Sequence, residues 1–353
     1  MDAFAVIMAG GSGTRFWPAS RRDLPKQYLP IGSGESLVAQ TLARLEGVVA
    51  AERTLVVSAR SQARALAEAL PGLPRENILL EPCARNTAAC VAWAALEIRR
   101  RCPDSLQIVL PADHVIRPVE RLRASLRAGL DEARASRALV TFGIRPTRAA
   151  TGFGYIELGD ALADRAGQSV FQVRRFVEKP AEEVAREFLV SGRFLWNAGI
   201  FAWRTDAILA ALERHTPQIL RALGSLPQGR ELETAYQSLA NISIDSAVLE
   251  RERDVRTLPI EYFWSDVGAW TALEEVLAAD ANGNRTTGGT ALEALGASNN
   301  IVYGEAGQLV ALLGVDDLIV VRAGNAVLVT TRARADQVRA LVERMSNDRS
   351  PFV

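Results

Sequence analysis

Short apolar runs alternate with segments of helical spacing through the first two thirds of the chain. The runs at 3–8, 54–58, 77–80, 106–110 and 138–142 read as buried strands. Between them, 36–46, 61–70, 86–101 and 119–135 repeat apolar residues at helical intervals, with Ser36 placed to cap the first. Such alternation predicts an α/β fold with a mainly parallel sheet covered by helices on both faces. Ligands of such sheets bind outside the carboxyl ends of the strands, so the loops that follow strands carry the interest. From about residue 145 the pattern is mixed. A turn at 152–155, strands at 170–177 and 196–203, and helices at 181–191, 205–215 and 231–240 read as an elaboration of the same domain. The polar, glycine-rich stretch 282–289 predicts a linker. Short strand-like runs follow at 301–303, 308–313, 318–321 and 326–330, then a helix at about 334–346. The predicted organisation is a large domain over 1–281, the linker, and a small β domain over 290–353.

Composition narrows the function. Hydrophobic residues are 48% and charged residues 23% of the 353, an ordinary globular balance. Acids and bases number 41 each, so no global field attracts nucleic acid or an anionic membrane, and neither is expected as a partner. No early stretch resembles a secretory leader, and the apolar run at 3–8 is too short to span a bilayer. Cys83, Cys90 and Cys102 lack metal-like spacing, which favours a reduced, cytoplasmic protein. Among the 41 basic residues only Lys26 and Lys179 are lysines. Lysine is a compact ammonium and arginine a planar fork, so a lysine retained in this background marks a place where the fork does not fit.

Three segments carry chemistry. The first strand runs into Gly10-Gly11-Ser12-Gly13-Thr14-Arg15, where glycines let the backbone approach phosphate oxygens. No Gly-Lys-Ser/Thr follows, and Phe16 stands where the dinucleotide fingerprint needs glycine, so neither a Walker loop nor a Rossmann dehydrogenase is indicated. Arg15 and Lys26 add two cations to this region. Asp113, at the end of the 106–110 strand, suits a magnesium ion, which takes one or two carboxylates and completes its shell with phosphate and water. Asp266, in FWSDVGAW, is the second candidate carboxylate. Glu178-Lys179 could bind sugar hydroxyls and a phosphate. His114 is as readily structural as functional, His215 reads as structural, and Trp17 and Trp264 as packing residues.

These segments resemble the sugar-nucleotide pyrophosphorylases, and within them the mannose 1-phosphate branch. The resemblance rests on MAGGSGTRFWPASRRDLPKQYLP (8–30), EPCARNTA (81–88), LPADH (110–114), FGIRPTRAATGFGYIE (142–157), FVEKP (176–180), GRFLWNAGIF (192–201), ISIDSAVLE (242–250) and WSDVGAW (264–270). It implies a Rossmann-like nucleotidyltransferase core and a C-terminal domain of left-handed β-helix character. It further implies that Gly10, Gly11, Gly13 and Arg15 hold a triphosphate, and that Lys26 meets phosphates near the reaction centre. Glu81, Asn86 and Thr87 would lie near guanine and ribose, and Asp113 and Asp266 would bind Mg2+. Gly154, Glu178 and Asn197 would line a sugar pocket, with Lys179 on the sugar phosphate.

The implied reaction uses GTP and mannose 1-phosphate and releases pyrophosphate. Its nucleophile is already anionic, which suits a chain with only two histidines. The isomerase domain of longer bifunctional relatives is not recognisable, so isomerase activity is not expected, and a homodimer is. Competing readings are another sugar 1-phosphate and nucleotide pair, such as glucose 1-phosphate with UTP or dTTP, and a catalytically silent regulatory subunit.

Overall fold

The N-terminal apolar run becomes the strand around which the catalytic half is built. The computed structural model describes all residues except Ser12, Arg349, Pro351 and Val353. Its first strands are β1 (Asp2–Met8), β2 (Thr54–Ala59), β3 (Ile78–Glu81), β4 (Ser105–Pro111), β5 (Val115–Arg117) and β6 (Leu139–Ile144). They are followed by β7 (Gly154–Arg165), β8 (Gln168–Glu178), β9 (Phe194–Arg204), β10 (Val255–Ile260) and β11 (Phe263–Ser265). Interleaved helices are α1 (Leu37–Arg44), α2 (Ala63–Ala69), α3 (Asn86–Arg101), α4 (Val119–Ser136), α5 (Glu182–Ser191), α6 (Thr205–His215), α7 (Pro217–Leu223), α8 (Gly229–Ser238) and α9 (Leu273–Val276).

The nine-stranded sheet has the order β3-β2-β1-β4-β9-β6-β10-β8-β7. It is parallel across β3, β2, β1 and β4, where strands and helices alternate, and parallel again between β6 and β10. The long strands β7, β8 and β9 pair antiparallel, making the sheet mixed. Side chains of β1 alternate between its two faces. Ala5 and Ile7 enter the core with α1, α2 and α4, and Phe4 and Val6 enter the one with α3, α6, α7 and α8. Ser36 caps α1 by accepting from Ala39 N at 3.3 Å. The parallel register brings Met8 beside Pro111 and Ala59 beside Glu81, which aligns the carboxyl ends of β1, β3 and β4 along one edge.

The stretch read as a linker is structured. It contains β12 (Arg285–Thr287), followed by β13 (Ala291–Leu295), β14 (Ile301–Tyr303), β15 (Leu309–Leu313), β16 (Leu318–Ala323), β17 (Ala326–Thr331) and the helix α10 (Val338–Asn347). Strands β12, β14 and β16 stack in parallel, as do β13 and β15, giving the β-helix-like coil. The polar residues of the stretch serve that coil. Asn284 and Asn300 are buried, Asn300 donates to Asn284 Oδ1 at 3.0 Å, and Leu318 N donates to Asn300 Oδ1 at 2.9 Å. The asparagine ladder bonds one turn of the coil to the next, so at Asn284 polarity marks stacking rather than solvent exposure. A third core cluster joins Phe16, Trp17 and Trp270 to Ile301, Tyr303, Ile319, Val338 and Val342, so the two regions share apolar packing. No described helix is long and apolar enough to cross a membrane.

Candidate active site

Glycines and glutamines shape the loop after β1. Gly13 has φ +56°, and a Cβ there would lie 2.6 Å from Lys26 N, so both conformation and space demand glycine. Gln27 Nε2 donates to Ala9 O at 2.6 Å, Gln62 Nε2 to Gly11 O at 3.1 Å, and Ser20 Oγ to Gly13 O at 2.6 Å. The loop carbonyls are thereby engaged, while the N–H groups of Gly10, Gly11 and Gly13 have no acceptor among the described residues. Sequence reasoning missed Gln27 and Gln62, because glutamine carries no motif signal of its own. Gly10 presses on β3: a Cβ there would be 3.2 Å from Glu81 Oε2.

Lys26 is 7% exposed and fully engaged. Its ammonium lies 2.7 Å from Asp113 Oδ2 and donates to Asp266 O at 2.6 Å and Val267 O at 3.1 Å. Three protons meet three acceptors, so in this structure Lys26 ties two aspartate segments together rather than standing free for a phosphate. Val267 takes φ +46°, a strained value for a β-branched residue that the surrounding contacts must hold. Burial raises the Asp113 carboxyl, but Lys26 and His114 outweigh it and hold the group below its usual range. His114 is lowered by burial, against the pull of Asp113 and Asp266. Trp264 Nε1 donates to His114 Nδ1 at 3.2 Å, which leaves any proton of the neutral ring on Nε2, 3.8 Å from Asp113 Oδ1. Trp264 therefore orients a site histidine and lines the cavity as well as packing, whereas Trp17, 7% exposed, sits in the interdomain core.

Two chambers meet at these residues. One, of about 300 Å³, is lined by Gly10, Gly11, Thr87, Gly154, Glu178, Asn197 and Asp245 among others. The second, of about 640 Å³, is lined by Gly13, Arg15, Lys26 and one face of α10. Asp113, His114 and Asp266 line both. The two aspartates are hard oxygen donors suited to a divalent ion, and Gly268 keeps room beside Asp266, since a Cβ there would lie 3.0 Å from its Oδ2.

The first chamber's far wall is built by strand geometry. Gly154 pairs with Glu178, and a Cβ on Gly154 would sit 2.6 Å from Glu178 Oε2. Gly199, at φ +66°, lies within β9 two residues after Asn197, where the register with β6 shifts. Asn197 Nδ2 donates to Asp245 Oδ1 at 2.9 Å, and its Oδ1 accepts from Thr141 Oγ1 at 3.0 Å. Asp245 lies in the ISIDSAVLE segment, where nothing in the sequence distinguishes it from its neighbours. It opens a π-helical turn at Asp245–Leu249, and burial, with Glu178 nearby, pushes its carboxyl up to about 7. Lys179 lines neither chamber; its side chain is 62% exposed and donates to Glu178 Oε1 at 2.5 Å. Of the three residues expected near the nucleoside, Thr87 lines the first chamber and accepts from Ile244 N at 2.8 Å. Asn86, at φ +62°, starts α3 and accepts from Thr87 N at 2.9 Å. Glu81 lies behind Gly10, buried; its Oε1 has no hydrogen-bond partner and burial pushes its carboxyl up to about 7. His215, beside Glu252 at 3.3 Å, is remote from both chambers.

Residues 4–283 match the family described as nucleotidyl transferase. The chain belongs to that family. Members of this nucleotidyl transferase family generally use a divalent metal. Residues 294–345 match the mannose-phosphate isomerase/GMP-like β-helix domain. A mannose-1-phosphate guanylyltransferase of Escherichia coli K12 is 39% identical over 98% of this chain and 74% of its own length. The xanthan biosynthesis protein XanB of Xanthomonas campestris B100 is 37% identical over 98% of this chain and 74% of its own. Among solved structures, one described as a mannose-1-phosphate geranyltransferase from Thermus thermophilus superposes with a TM-score of 0.88 at 37% identity, covering 98% of this chain and 100% of that one. The nucleotidyl transferase match spans the sheet from Phe4 onward and every expected site residue, and the β-helix match covers the coil from the end of β13 onward together with most of α10.

Proposed function

We infer that this nucleotidyl transferase moves GMP from GTP to α-D-mannose 1-phosphate, forming GDP-mannose and pyrophosphate. The observation that carries the reading is the pair of chambers that meet at Asp113 and Asp266. An in-line displacement puts the attacking sugar phosphate and the leaving pyrophosphate on opposite sides of the α-phosphorus, with the nucleoside equatorial, and two chambers meeting at these aspartates accommodate that division. A phosphate oxygen of mannose 1-phosphate bonds to the α-phosphorus as its bond toward the β-phosphate breaks. Pyrophosphate leaves with that electron pair. No proton is removed from the nucleophile, so no general base is required.

The chain's own task is positioning. Gly10, Gly11 and Gly13 offer free amides, and Arg15 a cation, to the triphosphate. Lys26 fixes Asp113 and Asp266 in place. Asp113 and Asp266 would hold Mg2+, which when bound neutralises charge developing on the phosphates. The resemblance assigns Glu81, Asn86 and Thr87 to guanine and ribose; Thr87 lines the first chamber, and Glu81 sits behind Gly10 as its backing. Gly154, Glu178 and Asn197 meet the sugar hydroxyls, joined by Asp245, and Lys179 reaches the sugar phosphate. Three free cysteines are consistent with a reducing cytoplasm. The exposed Leu295, Leu309, Leu313, Val327 and Val329 on β13, β15 and β17 support a homodimer through the coil.

The test is pyrophosphate release by purified protein, crossing GTP, UTP, dTTP and ATP against mannose 1-phosphate and glucose 1-phosphate with Mg2+. Release that requires GTP and mannose 1-phosphate together is expected. Preference for another pair keeps the chemistry and refutes the substrates; silence from folded protein favours a regulatory subunit.

A further inference from the structure

We propose that Arg339, carried by the C-terminal helix, is a substrate-contacting residue that holds the pyrophosphate end of the nucleotide. This rests on the reading above, in which the second chamber receives the leaving group. The wall of that chamber opposite the glycine loop is not part of the catalytic sheet. It is one face of α10, presenting Arg339, Glu343 and Ser346 at spacings of four and three residues, which places them on one side of a helix. The helix is fixed there by its adjoining apolar flank, whose Val342 also reaches the chamber wall. Val338 and Val342 are buried with Phe16, Trp17 and Trp270, so the loop after β1 and α10 share one apolar core.

Charge balance gives Arg339 its role. Pyrophosphate carries several negative charges that must be met as it forms. Lys26 is committed to Asp113 and two carbonyls. Arg15 is the other cation lining the chamber from the glycine loop, and it has no hydrogen-bond or ion-pair partner among the described residues. One guanidinium is a thin complement for such a ligand. Arg339 supplies a second from the opposite wall. Its partner in the structure is Glu343, with Nε 2.8 Å from Oε1, and both side chains are largely exposed, at 60% and 61%. An exposed pair at this spacing contributes little to stability, so exchanging it for phosphate is inexpensive. The exchange gains a charge-assisted contact, and a planar guanidinium can grip phosphate through two N–H groups at once. Glu343, Asp113 and Asp266 also face the chamber. Asp113 is paired with Lys26, and both aspartates would be neutralised by a bound divalent ion, which leaves Glu343 as the group that competes for Arg339.

The experiment is calorimetric titration of magnesium pyrophosphate into the full chain, with mannose 1-phosphate titrated separately. Arg339→Gln is expected to weaken pyrophosphate binding about tenfold, the loss of roughly one charge-assisted contact. Glu343→Gln is expected to tighten it, because it frees Arg339 and removes a repelling carboxylate. The double variant should behave as Arg339→Gln alone. Mannose 1-phosphate affinity should be unchanged in all three. If wild type binds pyrophosphate and Arg339→Gln binds it equally well, the inference is overturned while the proposed reaction stands. Equal weakening by both single variants, or a matching loss of mannose 1-phosphate binding, would show a merely structural helix and overturn it too. No pyrophosphate binding by wild type would remove the underlying reading of the chamber, and the inference with it.

Discussion

Replacing Lys26 with methionine keeps the stem and removes the charge, and the consequences can be worked from its three contacts. Breaking a buried ion pair from one side costs about 3–5 kcal/mol, because the remaining charge is left without its partner. Lys26 is 9% exposed at its side chain but Asp113 is 35% exposed, so solvent relieves part of that cost. A loss of about 3 kcal/mol near pH 7.5 is expected, at the lower end of that range. The sign of its pH dependence is fixed by Asp113, whose carboxyl lies below its usual range in the intact protein. The stabilisation it brings is complete above the unfolded value near ~3.9 and disappears as pH falls through the folded value. Without Lys26, burial is the dominant influence and favours the neutral acid, so the variant loses stability as pH rises. The gap between wild type and Lys26→Met should therefore be widest at pH 7–8 and shrink toward pH 4. Thermal melts across that range read it directly. Adding Asp113→Asn to Lys26→Met should recover at least half the lost stability without restoring turnover. Melting curves that coincide at every pH, or a double variant no more stable than the single, would refute the reasoning. Lys26→Arg should fail as well, since a planar fork cannot reproduce the three directions of an ammonium.

Two other perturbations separate conformation from chemistry. Gly13→Ala should destabilise the protein by about 1–3 kcal/mol, from the left-handed backbone and the clash with Lys26, whereas Gly11→Ala, with open space around the new methyl, should melt like wild type. Asp245, raised to about 7, costs stability progressively as pH climbs from the unfolded value of about 3.9 up to about 7; Asp245→Asn should therefore stabilise more at pH 8 than at pH 5, by thermal melting, while raising the KM for mannose 1-phosphate.

Legibility followed the physical source of each signal. The buried parallel strands and amphipathic helices of the first 144 residues announce themselves because every residue there answers to one periodicity. Helices α3 and α6 fall at 86–101 and 205–215 as expected. Strands β5 and β11 are not legible because each has only three residues and pairs with the other from far away in sequence; β10, an interior strand, is not legible because charged and proline residues break its apolar run. The stretch 282–289 reads as a linker because Asn284, buried in a ladder that exists only once turns stack, looks in sequence like its exposed neighbours Asn282 and Thr286. At the site, glycines with strained or crowded backbones were legible, since they sit in a recognisable loop. Asp245 was not, because its importance comes from burial beside Asn197 and Glu178, which lie far away in sequence. The contribution of α10 was invisible for the same reason.

The two lysines test how far a compositional oddity can carry an argument. Lys26 has a geometric reason to be lysine. Three acceptors from two separate segments surround one nitrogen, and Gly13 lacks the side chain that would push its loop away from the Lys26 backbone. A rotatable three-donor head fits that arrangement and a flat five-donor head does not. Lys179 shows no such constraint. It is exposed, at φ +46°, and pairs with the neighbouring Glu178, a role an arginine could fill. The difference follows the work each region does. Catalysis by positioning needs the groups around the reacting phosphorus held before the substrate arrives, because ordering them later would raise the barrier. Lys26 supplies that order by spending all its protons on the protein itself. A cation that meets a ligand must do the opposite and remain uncommitted or weakly committed, which is the state of Arg15 and Arg339 on the walls of the second chamber. A charged residue fully saturated by protein in an active site is thus better read as part of the frame than as part of the grip.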